Sequence, residues 1–424
     1  MKADYLFANG RVVTTKGYSS SPQVGSALGT VEELASGYVL TQGRHILTIT
    51  ASLEEARQLC GPRTQEIDAT GMLVMPGYVD CHTHLSFAGW RDSELGLRLS
   101  GVPYLKILAA GGGIISSVKR TRAATHSELL EFVTKGLDTM LTHGTTTVEA
   151  KSGYGLTTKD EIKQLQVLAA ANELHPIDIV RTFMGAHAIP PEYVDRRADY
   201  VRLVIDEMLP EVARLGLAEF CDCFCEDKAF SLAESRAILD AARHLGFKLK
   251  LHADEITPLG GAGLAAELRA ISAEHLIHAA RTDLKLMAEA QVAAVLLPAT
   301  AFILRTEKKP LVKDMLELGV PIAISTDYNP GTSPIPNMQL LQAFACYHYG
   351  LTPSQAFAAS TINAAHAIGR GTVCGSLEAG KLADIIMLEA PSLNFVAYHL
   401  GTNLVSTVMK AGQIVVEKGA RQSV

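Results

Sequence analysis

Tryptophan occurs once in this chain, at position 90, aromatic residues make up only 6% of it, and cysteines number 7 in 424 residues. A cysteine count that is both low and odd excludes a disulfide framework as the source of stability. No basic run stands out: Lys and Arg total 38 against 44 Asp and Glu, a formal net charge of −6, which argues against a nucleic-acid partner. Long apolar runs are missing too. The stretch bracketed by Pro298 and Arg305 is too short to span a bilayer, and Met1-Lys2-Ala3-Asp4-Tyr5 lacks the pattern of a signal peptide. These absences lead to the expectation of a soluble, cytoplasmic chain with neither membrane nor nucleic acid as partner. What is present is a globular balance, 48% hydrophobic against 19% charged, sufficient for one large domain and a smaller one.

From about Pro76 to about Gly369, short apolar runs alternate with amphipathic stretches, the pattern of βα units around a parallel sheet. Eight strand-like runs end near Cys81, Glu149, Ala186, Cys225, His252, Leu276, Leu297 and Thr326, with helical stretches such as Lys159 to Glu173 and Leu232 to Leu245 between them. The fold class expected is α/β, a (β/α)8 TIM-like barrel over residues 76–371. Residues 3–14, 37–50, 382–389 and 404–417 read as short strands split by Gly-rich turns. The two flanks, residues 1–75 and 372–424, are expected to pair as a smaller composite β-sandwich domain. Ser19 to Ser36 reads as a surface loop or an irregular insertion between flank strands, and Gly111-Gly112-Gly113, without the Lys-Ser/Thr of a phosphate-binding loop, as a flexible loop. Cys221, Cys223 and Cys225 alternate along one strand and should point the same way as buried, reduced thiols.

The chemistry concentrates at the predicted strand ends. In Asp80-Cys81-His82-Thr83-His84 two imidazoles one residue apart project to one side of an extended chain, a geometry suited to two ligands on one metal. A metal that activates water needs three or four N and O ligands with a position left open. Lys248-Leu249-Lys250-Leu251-His252 and Ala323-Ile324-Ser325-Thr326-Asp327 each deliver a further donor to the same rim, completing the set His82, His84, His252 and Asp327. Glu255, in the turn three residues past His252, is the candidate general acid and base. Its neighbour Asp254 is read as structural, and His275, ending the next strand, could polarise a carbonyl.

Pro76-Gly77-Tyr78-Val79-Asp80-Cys81-His82-Thr83-His84 resembles the first-strand signature of the amidohydrolase superfamily, and His252, His275 and Asp327 fit the same pattern. Glu149 to Gly155, Gly185 to Tyr193, His252-Ala253-Asp254-Glu255 and Thr326 to Thr332 are similar to the imidazolonepropionase family in particular. That resemblance implies one zinc or iron ion per subunit, a homodimer, and 4-imidazolone-5-propanoate as small-molecule substrate, its cyclic C–N amide bond hydrolysed to N-formimidoyl-L-glutamate in histidine degradation. It implies Arg91 for the propionate carboxylate, and Tyr154, His187, Glu255, Asn329, Gly331 and Thr332 around the substrate, with Glu255, His275 and Asp327 catalytic. Where it calls for a small polar residue, position 90 carries the lone tryptophan. Cys225-Glu226 offers no lysine for the carboxylated bridge of binuclear relatives, and Lys228 reads as an ordinary solvated side chain. The alternatives are a ring deaminase of the guanine or cytosine type, separable by ammonia release, and a non-catalytic scaffold, which would have lost metal ligands.

Overall fold

The computed structural model describes residues 2–102, 106 and 112–422. Eight parallel strands follow one another in chain order around a nearly closed barrel: Tyr78–Asp80, Thr145–Lys151, Asp178–Ala186, Phe220–Cys225, Lys248–Ala253, Ser272–His275, Ala293–Leu296 and Ile322–Ile324. Each ends within about two residues of the point expected from the apolar runs. The seam between first and last strands is stitched just beyond their ends. The Asp327 N–H donates to His82 O at 3.0 Å and the His84 N–H to Tyr328 O at 2.9 Å. Thr326 adds its N–H and hydroxyl, at 3.0 and 2.6 Å, to the buried Asp80 carboxylate, which Ser325 Oγ also meets. Closure therefore carries His82, His84 and Asp327 to one place.

The strands' two faces differ in chemistry. Cys221, Cys223 and Cys225 are free thiols buried toward the shell of helices, Cys223 Sγ lying 3.4 Å from Ser235 Oγ on helix Leu232–His244, while Asp222 between them takes the other face. That helix starts where local sequence says it should. Ser231 and Glu234 form a capping box, as Thr125 and Glu128 do for helix His126–Thr142.

The chain's two flanks build a mixed nine-stranded sheet. Its centre joins the two ends of the sequence, Leu73–Pro76 pairing antiparallel with Ile385–Leu388, and Tyr5–Thr14 lies beside them, paired with Glu32–Gln42 and, in parallel, with Gln65–Asp68. The segment from Ser19 to Ser36 is an insertion between flank strands, the second of its two readings, and it is docked rather than lying free on the surface. Gln23 and Leu28 are buried, the Gln23 N–H donates to Asn363 Oδ1 at 2.8 Å, and strand Glu32–Gln42 begins inside the segment. Polar composition concealed this docking, because a glutamine paired with a buried asparagine needs no apolar neighbours in sequence. Of the glycine triplet, Gly111 lies outside the described residues, while Gly113 donates its N–H to buried Glu94 at 2.7 Å. Among the described residues no helix is long and apolar enough to cross a membrane.

Candidate active site

Four side chains meet at the C-terminal ends of the barrel strands. His84 Nε2 lies 3.2 Å from His252 Nε2, and Asp327 Oδ1 lies 3.5 Å from His82 Nε2 and 3.6 Å from His84 Nε2. Ligands about 2.05 Å from a tetrahedral ion stand about 3.3 Å apart, so these spacings are those of a coordination polyhedron rather than of a hydrogen-bonded cluster. His82 Nε2 is moreover buried with no hydrogen-bond partner, a polar atom aimed at the centre of the group. The donor set fits a divalent cation.

Three of these four donors are held from behind. Glu274 Oε2 meets His82 Nδ1, Asp222 Oδ2 stands 3.0 Å from His252 Nδ1, and Thr300 Oγ1 donates to Asp327 Oδ2 at 2.6 Å, leaving Oδ1 to face the histidines. A carboxylate behind an imidazole fixes the tautomer that turns Nε2 toward a metal, as Glu274 does for His82. Despite burial, Asp327 is pulled down to about 2 by its histidine neighbours, chiefly His82, and Asp222 falls below the usual carboxylate range through His252 and Lys151. Strain accompanies this precision: His275, Asp327 and Asp254 are non-glycine residues at φ of 70°, 52° and 53°.

Glu255 and His275 stand together at the rim, His275 Nδ1 3.6 Å from Glu255 Oε1. Burial, then the charges of Asp327 and Glu226, push Glu255 up to about 8, while burial drives His275 down to about 3. One is a carboxyl able to exchange a proton near neutrality; the other is a neutral imidazole. Glu226 also fixes the turn after Glu255, accepting N–H groups from Ile256 at 2.8 Å and Thr257 at 3.2 Å. Asp254 points elsewhere, its carboxylate taking the N–H groups of Gly260, Gly261 and Ala262 at the start of helix Gly261–Glu267. Lys228 is exposed.

The remaining expected residues ring the cluster. His187 stacks on His84 with centroids 4.7 Å apart and donates from Nδ1 to Gly153 O at 3.0 Å, and Tyr154 packs against both rings. Gly153, at φ +113°, leaves no room for a Cβ beside His187 Nδ1. Arg91 is buried, its N–H bonded to Pro330 O at 3.0 Å, and its guanidinium lies so close over Gly331 that a Cβ there would overlap it. Asn329 spends its amide on its own loop, donating to Asp327 O and Thr332 Oγ1 and accepting from the N–H groups of Gly331 and Thr332. Trp90, 38% exposed, packs edge-on against Phe87 and Tyr328.

Sequence reasoning missed the groups behind these donors: Glu149, Lys151, Asp222, Lys250 and Glu274, all fully buried. One signal was available, charged residues inside otherwise apolar strands, since such residues are rarely buried unless paired.

A parallel barrel with histidine and aspartate donors converging at its C-terminal rim defines a metal-dependent hydrolase. The chain belongs to the amidohydrolase family, whose sequence model matches residues 73–415. Within it the chain falls among the imidazolonepropionases. It is 49% identical over 420 residues to the imidazolonepropionase of Alkaliphilus metalliredigens, covering 99% of both chains, and 46% identical to that of Geobacillus kaustophilus, covering 96% of this chain and 97% of the relative. Solved structures share the fold at low identity. A 5-methylcytosine deaminase from Klebsiella pneumoniae superimposes with a TM-score of 0.72 at 16% identity, over 99% of this chain and all of the other. A zinc-bound adenosine deaminase from Xanthomonas campestris gives 0.71 at 18%, over all of this chain and 95% of the other.

Proposed function

We propose that this chain hydrolyses the cyclic C–N amide bond of 4-imidazolone-5-propanoate to N-formimidoyl-L-glutamate, with His82, His84, His252 and Asp327 holding one zinc or iron ion. The observation that carries the reading is similarity to imidazolonepropionases along nearly the whole chain, coupled with a donor cluster of metal-ligand spacing. A cation held there would supply Lewis acidity and water activation at neutral pH.

The chain's own residues do the rest. Arg91 pairs with the propionate carboxylate through its planar fork, with Tyr154, His187 and the loop of Asn329, Gly331 and Thr332 surrounding the ring and tail. Glu255 takes the proton of the attacking water and returns it to the ring nitrogen as the C–N bond breaks, with Asp327 assisting. His275 donates to the carbonyl oxygen as it gains negative charge. A cytoplasmic homodimer is part of the same proposal, closed dimers being the commonest soluble assembly.

Incubation of metal-loaded protein with freshly prepared 4-imidazolone-5-propanoate tests this, following loss of ultraviolet absorbance and identifying the product by mass. N-formimidoyl-L-glutamate without free ammonia is expected, and far less of it from Arg91→Ala. Ammonia release from a ring amine, with no turnover of the imidazolone, would replace this reading by that of a deaminase.

A further inference from the structure

Behind the metal ligands lies a second set of donor atoms that the reaction does not use. Asp222, His252 and Glu274 offer ligand atoms within 4.8 Å of one another, the donor chemistry of another metal centre, fully enclosed by protein. An ammonium group stands among them. Lys151 Nζ is 2.8 Å from Glu149 Oε1, 2.9 Å from Asp222 Oδ2 and 3.4 Å from Glu274 Oε2. Asp222 Oδ2 and His252 Nδ1 are buried without a well-aligned hydrogen bond, so this carboxylate oxygen is satisfied by a cation's charge rather than by a donor's direction. Glu274's other oxygen is answered separately by Lys250, at 3.0 Å, which also donates to Ser272 Oγ at 2.7 Å.

The formal charges follow the same logic. Of the carboxylates in contact with Lys151 or with the four donors, Glu149, Asp222, Glu274 and Asp327 bring four negative charges, and Lys151 and Lys250 return two, leaving the complement of one divalent ion. Without Lys151 the deficit would be three, a buried excess that draws in a further cation or disrupts the site. We propose that Lys151 is a tethered stand-in for a second cation: its ammonium neutralises Glu149, Asp222 and Glu274 and, by filling the space they enclose, restricts the centre to a single metal ion. Lys151 is thus a positioning residue. It acts through Asp222 and Glu274 on the rings of His252 and His82, and the inference rests on the single-ion centre proposed above.

Metal stoichiometry tests it independently of turnover. Wild type, Lys151→Ala and the double variant Glu149→Gln/Lys151→Met are stripped with chelator, dialysed against excess Zn²⁺, gel-filtered and assayed for zinc per chain. About one equivalent is expected for wild type, about two for Lys151→Ala, where a polar void replaces the ammonium, and about one for the double variant, which removes a charge of each sign. A folded Lys151→Ala holding one equivalent or fewer overturns the inference while leaving the single-ion centre standing. Should Lys151→Ala fail to fold, the double variant decides. Recovery of fold with about one equivalent supports a counter-charge role, whereas its failure shows that the lysine's packing matters and overturns the proposal. Zero or two equivalents in wild type would remove the single-ion reading itself, and this inference with it.

Discussion

Glu255 and Gly331 illustrate how much can rest on one side chain or on its absence. Glu255 is a carboxyl held protonatable near neutrality by burial and by the charges of Asp327 and Glu226, and it lies beside His275 rather than within the cluster of His82, His84, His252 and Asp327. Glu255→Gln is therefore expected to keep metal content and substrate affinity while losing about 10²- to 10⁴-fold in kcat, the usual worth of a positioned acid and base. Steady-state kinetics with metal analysis check this, and near-normal turnover would remove Glu255 from the proton path. Gly331 works by leaving space. Any Cβ there overlaps the Arg91 guanidinium, which is confined by burial and by Glu94 Oε2 at 3.6 Å from its Nε. Gly331→Ala should displace the Arg91 fork proposed to bind the substrate carboxylate and raise KM about 10-fold or more with a smaller change in kcat. An unchanged KM would show that the fork can move aside at no cost.

Elements contribute through their junctions. Helix Thr158–Leu174 hands over to strand Asp178–Ala186 through His175, whose Nδ1 accepts the Ile177 N–H at 3.2 Å while Nε2–H donates to Asp138 at 3.2 Å. That pairing requires a neutral ring, and burial lowers its pKa to about 4. The unfolded chain, with a histidine pKa of about 6.5, takes up this proton first as pH falls. The contribution is accordingly complete above about pH 6.5 and is lost between there and about pH 4, amounting to at most about 3 kcal/mol because Asp138 partly offsets the charge. Urea midpoints from neutral to acid pH should fall more steeply for wild type than for His175→Asn, whose amide oxygen can still accept the Ile177 N–H. Parallel curves would show that His175 does not contribute to the acid sensitivity.

At the scale of the whole molecule, Lys410 ties the flank sheet to the barrel. Its ammonium, buried, sits 2.6 Å from Asp178 at the start of the third barrel strand and 2.7 Å from buried Asp384 beside strand Ile385–Leu388. Lys410→Met strands the Asp384 carboxylate and should cost about 3 kcal/mol, less than for a fully enclosed pair because Asp178 is half exposed. Denaturant unfolding checks it. Metal removal is a second global test. An ion at about 100 times its Kd stabilises the native state by about 3 kcal/mol, so chelation should lower the thermal midpoint and readdition should restore it. A midpoint indifferent to chelator would argue against a bound structural cation.

Much of this architecture was legible beforehand, for identifiable reasons. Strands and helices announce themselves by local period, so the eight barrel strands could be bounded from apolar runs alone. His82, His84, His252 and Asp327 stood out because each terminates such a run, and in a parallel barrel all those ends share a rim. The docking of Gln23 on Asn363 and the support of the ligands by Asp222 and Glu274 could not be read in this way, since the partners are far apart in sequence: His82 and Glu274 are separated by 192 residues. Sequence by itself determined the elements, their order and the chemical character of the rim, all of which follow from neighbours within a few residues. Tertiary structure alone decided which donors point at one another, how Lys151 answers three carboxylates, and that Arg91 lies over Gly331. Those relations depend on how far the barrel's closing strands tilt and register before Asp327 meets His82, a distance that no local pattern encodes.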